Sequence, residues 1–560
     1  MDLLTWTLEE AVSSPNRPLL IDASDPSQWL SFNMIRKEVR QLIAGLNAVG
    51  IKRGDTVWVN CFNNLRYSVL YLGIIGAGAI FTGINPSSTP TELSHHFRTT
   101  NPKLIIAEPM LLHKMLSMAE VTGFDRSNIF AFDTGGFGSI FGIRGWHTLL
   151  EHGERDWVRP DPDKTVATYS ATSGTSGLPK WAMISHSYHV TQVAFHCSAE
   201  SAKMVRLFML APFHAFGSPI VPASIRQGIR TYIMHRYNES DFIDCVRRHK
   251  ISETYIAPPI LVSLPVSPQA KTGDLRSLRN IWVGGASVKY AQQKSLYNCL
   301  HEEACIRSVW GMTEVGWITC VRDESRRNDD SVGQCLSGFQ LTLIDSTGNT
   351  IDEDAAEGEV LIRAPHPFLG YLRDQSATRA AFTADRSLVR SGDIGRRLLN
   401  PKTGVASFYI VDRVKELIKV RGWQVSPTEV ESELLQHPEI RDAAVTGAIE
   451  RDSFEEFVRA YVVLEPAGIS KPTTAPEILA WLRERLSSYK LPQEIRFVDS
   501  IPRNGTGKIL RRLLRDEAQL PHVVKVAESG PDPNVDGSRK QGPVRCTTVA
   551  RHVEVEAMSS

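Results

Sequence analysis

The stretch that decides the reading runs Tyr169-Ser170-Ala171-Thr172-Ser173-Gly174-Thr175-Ser176-Gly177-Leu178-Pro179-Lys180. Thr172, Ser173, Thr175 and Ser176 supply clustered hydroxyl donors, while Gly174 and Gly177 let backbone amides curl toward a polyanion without Cβ obstruction. Lys180 closes the loop with a cation, and together these groups make a cradle for a polyphosphate. A flexible Ser/Gly linker is the bland alternative, but the apolar, helix-prone Trp181-Ala182-Met183-Ile184 that follows argues against it. The P-loop template GxxxxGK(S/T) fails here, because Pro179 precedes Lys180 and Trp181 follows it.

Around this loop, apolar runs alternate with helix-like segments. Thr56 to Asn60, Lys103 to Ala107, Val205 to Leu210, Thr254 to Ala257 and Asn280 to Val283 read as buried strands, and Arg36 to Ala48 and Tyr290 to Leu300 as helices. This predicts an α/β fold with largely parallel strands. From Gly358 to Tyr409 the texture changes to short strands and turns, the mark of a small β-rich subdomain. After Asp412 a compact α+β pattern resumes, with helices expected at Pro427 to Gln436 and Ala475 to Leu486 and a strand at Arg459 to Leu464. A chain of 560 residues exceeds what one core usually organises. The expected division is a large N-terminal domain at 1–413, made of two α/β sheets plus the β-rich subdomain, a smaller mobile α+β domain at 414–520, and a disordered tail at 521–560.

Composition excludes several classes. A net charge of +1 gives no reason to expect a nucleic-acid partner. The eight cysteines lack metal-ligand spacing and suit reduced thiols, and the His95-His96 pair has no neighbouring ligand cluster. The uncharged run Tyr67 to Ile84 raises the question of a membrane span, but Gly73, Gly76, Gly78 and Gly83 favour a closely packed helix leading into a strand. Met1 to Val12 has no basic region before an apolar core, and Met558-Ser559-Ser560 is not the Ser-Lys-Leu type of address, so the expectation is a cytoplasmic protein.

Five further motifs carry chemistry. Val309-Trp310-Gly311-Met312-Thr313-Glu314 sets a flat aromatic beside a hydroxyl and a carboxylate, groups suited to a purine, a phosphate and a hard cation. Gly284-Gly285-Ala286-Ser287 follows an expected strand, where small residues let a planar ligand approach the backbone. Ser391-Gly392-Asp393-Ile394-Gly395 offers a carboxylate on a turn. The segment Asp412 to Gln424 is dense in cations with apolar residues between them. Pro502-Arg503-Asn504-Gly505-Thr506-Gly507-Lys508 presents a glycine-flanked lysine before a basic helix expected at Ile509 to Leu514, and a long ammonium side chain suits neutralising charge as a phosphate leaves.

With these motifs in this order, the chain from Leu4 to Leu520 resembles the adenylate-forming superfamily of acyl-CoA synthetases, luciferases and peptide-synthetase adenylation domains, and within it the 4-coumarate-CoA ligase-like branch. The resemblance implies ATP and CoA as cosubstrates and Mg²⁺ held at Glu314. It further implies phosphate contacts from Thr172 through Gly177, Lys180 and Thr313, and adenine contacts from Gly285, Ala286, Trp310 and Gly311. Asp393 and Arg413 would meet the ribose, Lys415 would be a hinge between domains, Lys419 and Gln424 would face the adenylate, Arg421 and Gly422 would lie near CoA, and Lys508 would serve the adenylation step. Trp310 stands where the family usually has Tyr, Ser308 where the plant enzymes have Gln, and Arg421 where they commonly have Lys.

The expected activity is ATP-dependent carboxylic acid–CoA ligation through an acyl-adenylate. Pro212 to Gly217 matches the start of the family's acyl pocket, so His214, Phe216 and Gly217, with Ala286 and Trp317, are the expected substrate contacts. Their aromatic character favours an aromatic, heteroaromatic or arylalkenyl acid, although a medium-chain fatty acid fits the same composition. No Asp near His214 is present to hold an α-ammonium, which disfavours an amino acid. Other readings are an acyl-AMP ligase that loads a separate carrier protein and a noncatalytic nucleotide sensor; Lys508, Lys419 and Glu314 speak against the sensor.

Overall fold

The computed structural model describes residues 1–10, 14–88, 90–132, 139–172, 180–198, 203–270, 273–285, 288, 290–321, 330–345, 347–413, 416, 418–420, 423–449, 456–465, 473–486, 490–503, 509–515 and 524–526. Two large sheets dominate it. One runs in the order Gln334–Cys335, Gly316–Cys320, Cys305–Met312, Asn280–Val283, Glu253–Ile256, Arg206–Phe208, Thr231–Ile233, Leu20–Asp22 and Trp29–Leu30. The other runs Gly370–Tyr371, Lys180–Ser185, Val166–Thr172, Ile80–Gly83, Thr56–Asn60, Pro102–Ala107, Ile129–Ala131, Ile143–Gly145 and Ser139–Ile140. Their middles are parallel and their ends antiparallel. The expected runs Thr56–Asn60 and Asn280–Val283 are strands at those bounds.

The uncharged stretch is a helix at Tyr67–Gly76, buried on every side, followed by the strand Ile80–Gly83. Its glycines have a packing reason. A Cβ on Gly73 would lie 2.6 Å from Leu42 Cδ2, so the helix can nest against Phe32–Ala48 only without one. No helix among the described residues is long and apolar enough to cross a membrane.

A four-stranded antiparallel sheet, Gln340–Ile344, Glu357–Arg363, Val389–Leu399 and Ala406–Arg413, is the β-rich subdomain. Beyond it lies a separate α+β unit with its own apolar core, in which helices Pro427–Leu434 and Ala475–Arg483 accompany a sheet ordered Ile440–Ile449, Glu456–Leu464, Glu494–Phe497 and Val524–Val526. A reciprocal Thr474/Glu477 cap starts the second helix.

Two local expectations need correction. Trp181-Ala182-Met183-Ile184 is strand, not helix: it pairs on one side with Val166–Thr172 and on the other with Gly370–Tyr371, and two ladders outweigh local propensity. Val524–Val526, expected in a disordered tail, adds a strand to Glu494–Phe497, which the two β-branched valines favour.

The first large sheet buries an ion pair. Arg206 and Glu253 are register neighbours on adjacent parallel strands, and Arg206 Nε lies 2.5 Å from Glu253 Oε2 with both side chains shut off from water. Ser224 Oγ accepts from Arg206 Nη1 at 3.0 Å, and Trp282 Nε1 donates to Glu253 Oε1 at 2.9 Å. A buried pair is costly to break from one side because the remaining charge has no water. Glu253→Gln is therefore expected to lower the stability of the fold by about 3 kcal/mol or more, measured as a shift of the urea unfolding midpoint; a loss under about 1 kcal/mol would show that the pair is not desolvated as drawn.

Candidate active site

The segment expected to cradle phosphate joins two paired strands. Strands Val166–Thr172 and Lys180–Ser185 are antiparallel with Thr172 directly opposite Lys180, so the loop starts and ends on one rung. Ser173, Gly174, Thr175, Ser176 and Gly177 lie outside the described residues. Lys180 Nζ lies 3.7 Å from Asp374 Oδ2 and 5.4 Å from the centre of the Tyr371 ring.

Tyr371 links this lysine to the other large sheet. Its hydroxyl donates to Glu314 Oε1 at 2.5 Å, and burial, reinforced by the Glu314 carboxylate, holds the phenol well above its usual pKa. The phenol therefore stays protonated and donating. Glu314 is buried in the turn between Cys305–Met312 and Gly316–Cys320, and its carbonyl accepts from Phe368 N at 2.8 Å. Beside it, Tyr188 Oη donates to the Thr313 carbonyl at 2.9 Å. Lys180, Tyr371, Glu314 and Thr313 thus form one contiguous polar strip.

The carboxylate expected on a turn lies instead within the strand Val389–Leu399, where ladder pairing outweighs the local glycines, and it meets the aromatic of the motif at 309–314. Trp310 Nε1 donates to Asp393 Oδ2 at 2.9 Å, with both residues buried. Asp393 stands opposite Arg413 in the small sheet, and Lys419 opposite Gln424 in the two-stranded ribbon Ile418–Val420 and Trp423–Val425. Gly285 and Gly311 lie at the ends of the neighbouring strands Asn280–Val283 and Cys305–Met312. Ala286, Lys415, Arg421, Gly422 and Lys508 lie outside the described residues.

The expected acyl contacts form an aromatic cluster. The Phe216 and Trp317 rings stack at 5.0 Å with 21° between planes, and Trp317 Nε1 donates to the Phe216 carbonyl at 3.3 Å. Gln192 Oε1 accepts from Trp317 N at 2.8 Å. His196 meets Trp317 edge-on at 4.4 Å, and Trp282 lies 5.6 Å from it. On its other side Phe216 packs on Gly284, where a Cβ would come within 2.8 Å of the ring. The small residue expected to admit a planar ligand thus admits the Phe216 ring. His214 is half-buried, desolvation lowers its pKa, and it sits in the turn where its carbonyl accepts from Gly217 N at 2.8 Å.

Sequence reasoning missed Tyr371, Asp374, Gln192 and His196. The available signal for the first two was slight: a Gly-Tyr pair just before Asp374, whose carboxylate caps the helix Gln375–Ala380 by accepting from Ala377 N at 2.8 Å. Gln192 and His196 lie on or just past the helix His186–Phe195 and carry no local signature.

A lysine beside a buried phenol that donates to a carboxylate, and a second buried carboxylate bonded to an indole, are groups suited to a phosphorylated, hydroxyl-bearing ligand. Comparison with known proteins names the class. The model of the AMP-binding enzyme family matches residues 8–372, and that of the AMP-binding enzyme C-terminal domain matches 429–508. The chain is 37% identical over 532 residues to the phenylacetyl-CoA ligase epaB of Aspergillus niger, covering 92% of this chain and 96% of that one. It is 33% identical over 575 residues to the nicotinic acid-CoA ligase pyr1 of Aspergillus fumigatus, with the same coverage. Its fold is similar to that of the anthranilate CoA ligase AuaEII solved with anthranoyl-AMP, at a TM-score of 0.81 and 22% identity over 93% of this chain and 97% of that one. The chain belongs to the AMP-binding enzyme family, and it is an AMP-forming acid–CoA ligase.

Burial also sets a pH response. It holds His196 and His189 neutral, with pKa values lowered to about 3, and His96 and His186 lowered to about 4. An unfolded histidine titrates near 6.5, so below that pH the unfolded chain takes up protons that the fold refuses, at up to about 1.4 kcal/mol per pH unit for each histidine. Stability present above pH 6.5 is therefore lost as the pH falls toward 4. The urea midpoint is expected to drop steadily from pH 7 to pH 5; a level midpoint would mean that these rings are not buried neutral.

Proposed function

We propose that this chain activates a compact aromatic, heteroaromatic or arylalkenyl acid as its adenylate and passes the acyl group to free CoA. The observation that carries the reading is the Phe216–Trp317 stack, a flat apolar wall held by hydrogen bonds from the Trp317 amide and indole. Aromatic acids offer such a wall a face, which adds specific attraction beyond area burial. Relatives named for phenylacetyl and nicotinic acid substrates support the same class.

The chemistry follows from the acid's weakness as an acyl donor. Its carboxylate oxygen bonds to the α-phosphorus of ATP as the bond to pyrophosphate breaks, and AMP then serves as the leaving group when the thiol bonds to the acyl carbon. Such a displacement needs positioning and charge neutralisation more than a protein nucleophile. In our reading the hydroxyls of Thr172 through Ser176 and the lysine at 180 cradle the phosphates, Thr313 holds the α-phosphate and Asp393 with Arg413 holds the ribose. Glu314 is a hard oxygen donor oriented by Tyr371, which suits Mg²⁺, an ion that typically takes one or two carboxylates with the substrate's phosphates. When bound, the ion offsets phosphate charge. Lys508 neutralises the departing pyrophosphate, while Lys419 and Gln424 face the adenylate. The small domain then turns about Lys415 to bring Arg421 and Gly422 to CoA.

With ATP, Mg²⁺ and CoA, phenylacetate, nicotinate and 4-coumarate are expected to yield thioester, read by mass, with the best of them at least about tenfold above decanoate. A clear reversal would overturn the aromatic assignment, and acyl transfer to a carrier protein in place of CoA would overturn the acceptor. Lys508→Ala is expected to abolish acid-dependent exchange of pyrophosphate into ATP while sparing thioester formation from supplied adenylate; equal loss of both would refute the division of labour.

A further inference from the structure

We propose that Trp310 is a positioning residue for the sugar of ATP: its indole N–H sets the orientation in which the Asp393 carboxylate reads the ribose hydroxyls. The inference rests on the reading of Asp393 as the ribose carboxylate and adds to it how that carboxylate is aimed.

The two residues are far apart in the chain and belong to different sheets. Trp310 sits in Cys305–Met312 of the first large sheet, Asp393 in Val389–Leu399 of the small one, and the bond from Nε1 to Oδ2 measures 2.9 Å. Trp310 is 9% exposed and Asp393 6%, so water competes little for either atom. An indole N–H can only donate, and a donor facing an ionised acceptor makes one of the stronger hydrogen bonds. The Asp393 backbone is held as well: its N–H donates to Ser391 Oγ at 3.0 Å, and that hydroxyl donates to the Val360 carbonyl at 2.7 Å. With the backbone tied, the remaining freedom lies in the side-chain torsions, and the indole bond removes it. A carboxylate accepts about four hydrogen bonds, so one from the indole orients the group without exhausting it.

The arrangement gives one side chain two tasks. The face of Trp310 suits the purine, and its edge aims the group that meets the sugar. Phe at this position would keep a face and lose the edge, so Trp310→Phe separates the tasks.

The test compares ATP with 2′-deoxy-ATP and 3′-deoxy-ATP in acid-dependent pyrophosphate release by the wild type, Trp310→Phe and Asp393→Asn. In Trp310→Phe, kcat/KM for ATP is expected to fall about tenfold, chiefly through KM, while the deoxy analogues lose little, so that the preference for ATP shrinks by a similar factor. Asp393→Asn should collapse that preference too. If Asp393→Asn collapses it and Trp310→Phe leaves it intact, or lowers all three nucleotides equally, the positioning role is wrong and the ribose reading stands. If Asp393→Asn leaves the preference unchanged, the ribose reading fails and the proposal falls with it. Should Trp310→Phe not fold, β-(3-benzothienyl)alanine at position 310 replaces the N–H with sulfur in a ring of the same shape and carries the same test.

Discussion

Three backbone hydrogen bonds along residues 368–372 hold the site together. Phe368 N donates to the Glu314 carbonyl in the first large sheet, and Leu369 N and Leu372 N donate to the carbonyls of Met183 and Trp181 in the second, each at 2.8 Å. This short segment is thus bonded to both sheets at once. Buried backbone groups are seldom left unpaired, so the segment cannot drift from either sheet without losing these bonds. Because it is fixed, Tyr371 reaches Glu314 and lies beside Lys180, so that one phenol joins a lysine of one sheet to a carboxylate of the other. Neither sheet alone supplies that juxtaposition.

The aromatic cluster is held by a different kind of constraint. The Phe216–Trp317 stack continues through Trp282, whose indole donates to Glu253 of the buried ion pair. His196 joins the two groups again, since its ring packs on Trp317 and its carbonyl accepts from Arg206 at 3.4 Å. A wall of large rings with both indole N–H groups bonded has few ways to relax. The aromatic cluster and the buried ion pair of the first large sheet are therefore tied to the same residues, and changes to one will be felt in the other.

What the sequence made legible follows from the range of the interactions involved. Thr56–Asn60 and Asn280–Val283 could be read because apolar β-rich runs bounded by polar residues are local signals. The family could be read because its motifs, the hydroxyl-rich loop and the Thr313-Glu314 pair among them, are contiguous in the chain. Trp181–Ile184 is helix-prone locally yet strand in the fold, since its conformation comes from partners ten or more residues before it and nearly two hundred after it. Tyr371 on Glu314 and Trp310 on Asp393 join positions 57 and 83 residues apart, and no periodicity or spacing rule anticipates such pairs. Substituting Trp for the family's usual Tyr at 310 looked from sequence like a change in the purine contact; in the fold it also brings an N–H to a carboxylate.

Lys180, Glu314 and Asp393 are expected to surround a single nucleotide. A crystal structure of the chain with a non-hydrolysable ATP analogue tests it most directly. The β- and γ-phosphates are expected between Lys180 and Glu314, the purine beside Trp310 and the ribose hydroxyls on Asp393. A nucleotide bound with its phosphates away from Lys180, or with its ribose out of reach of Asp393, would contradict it.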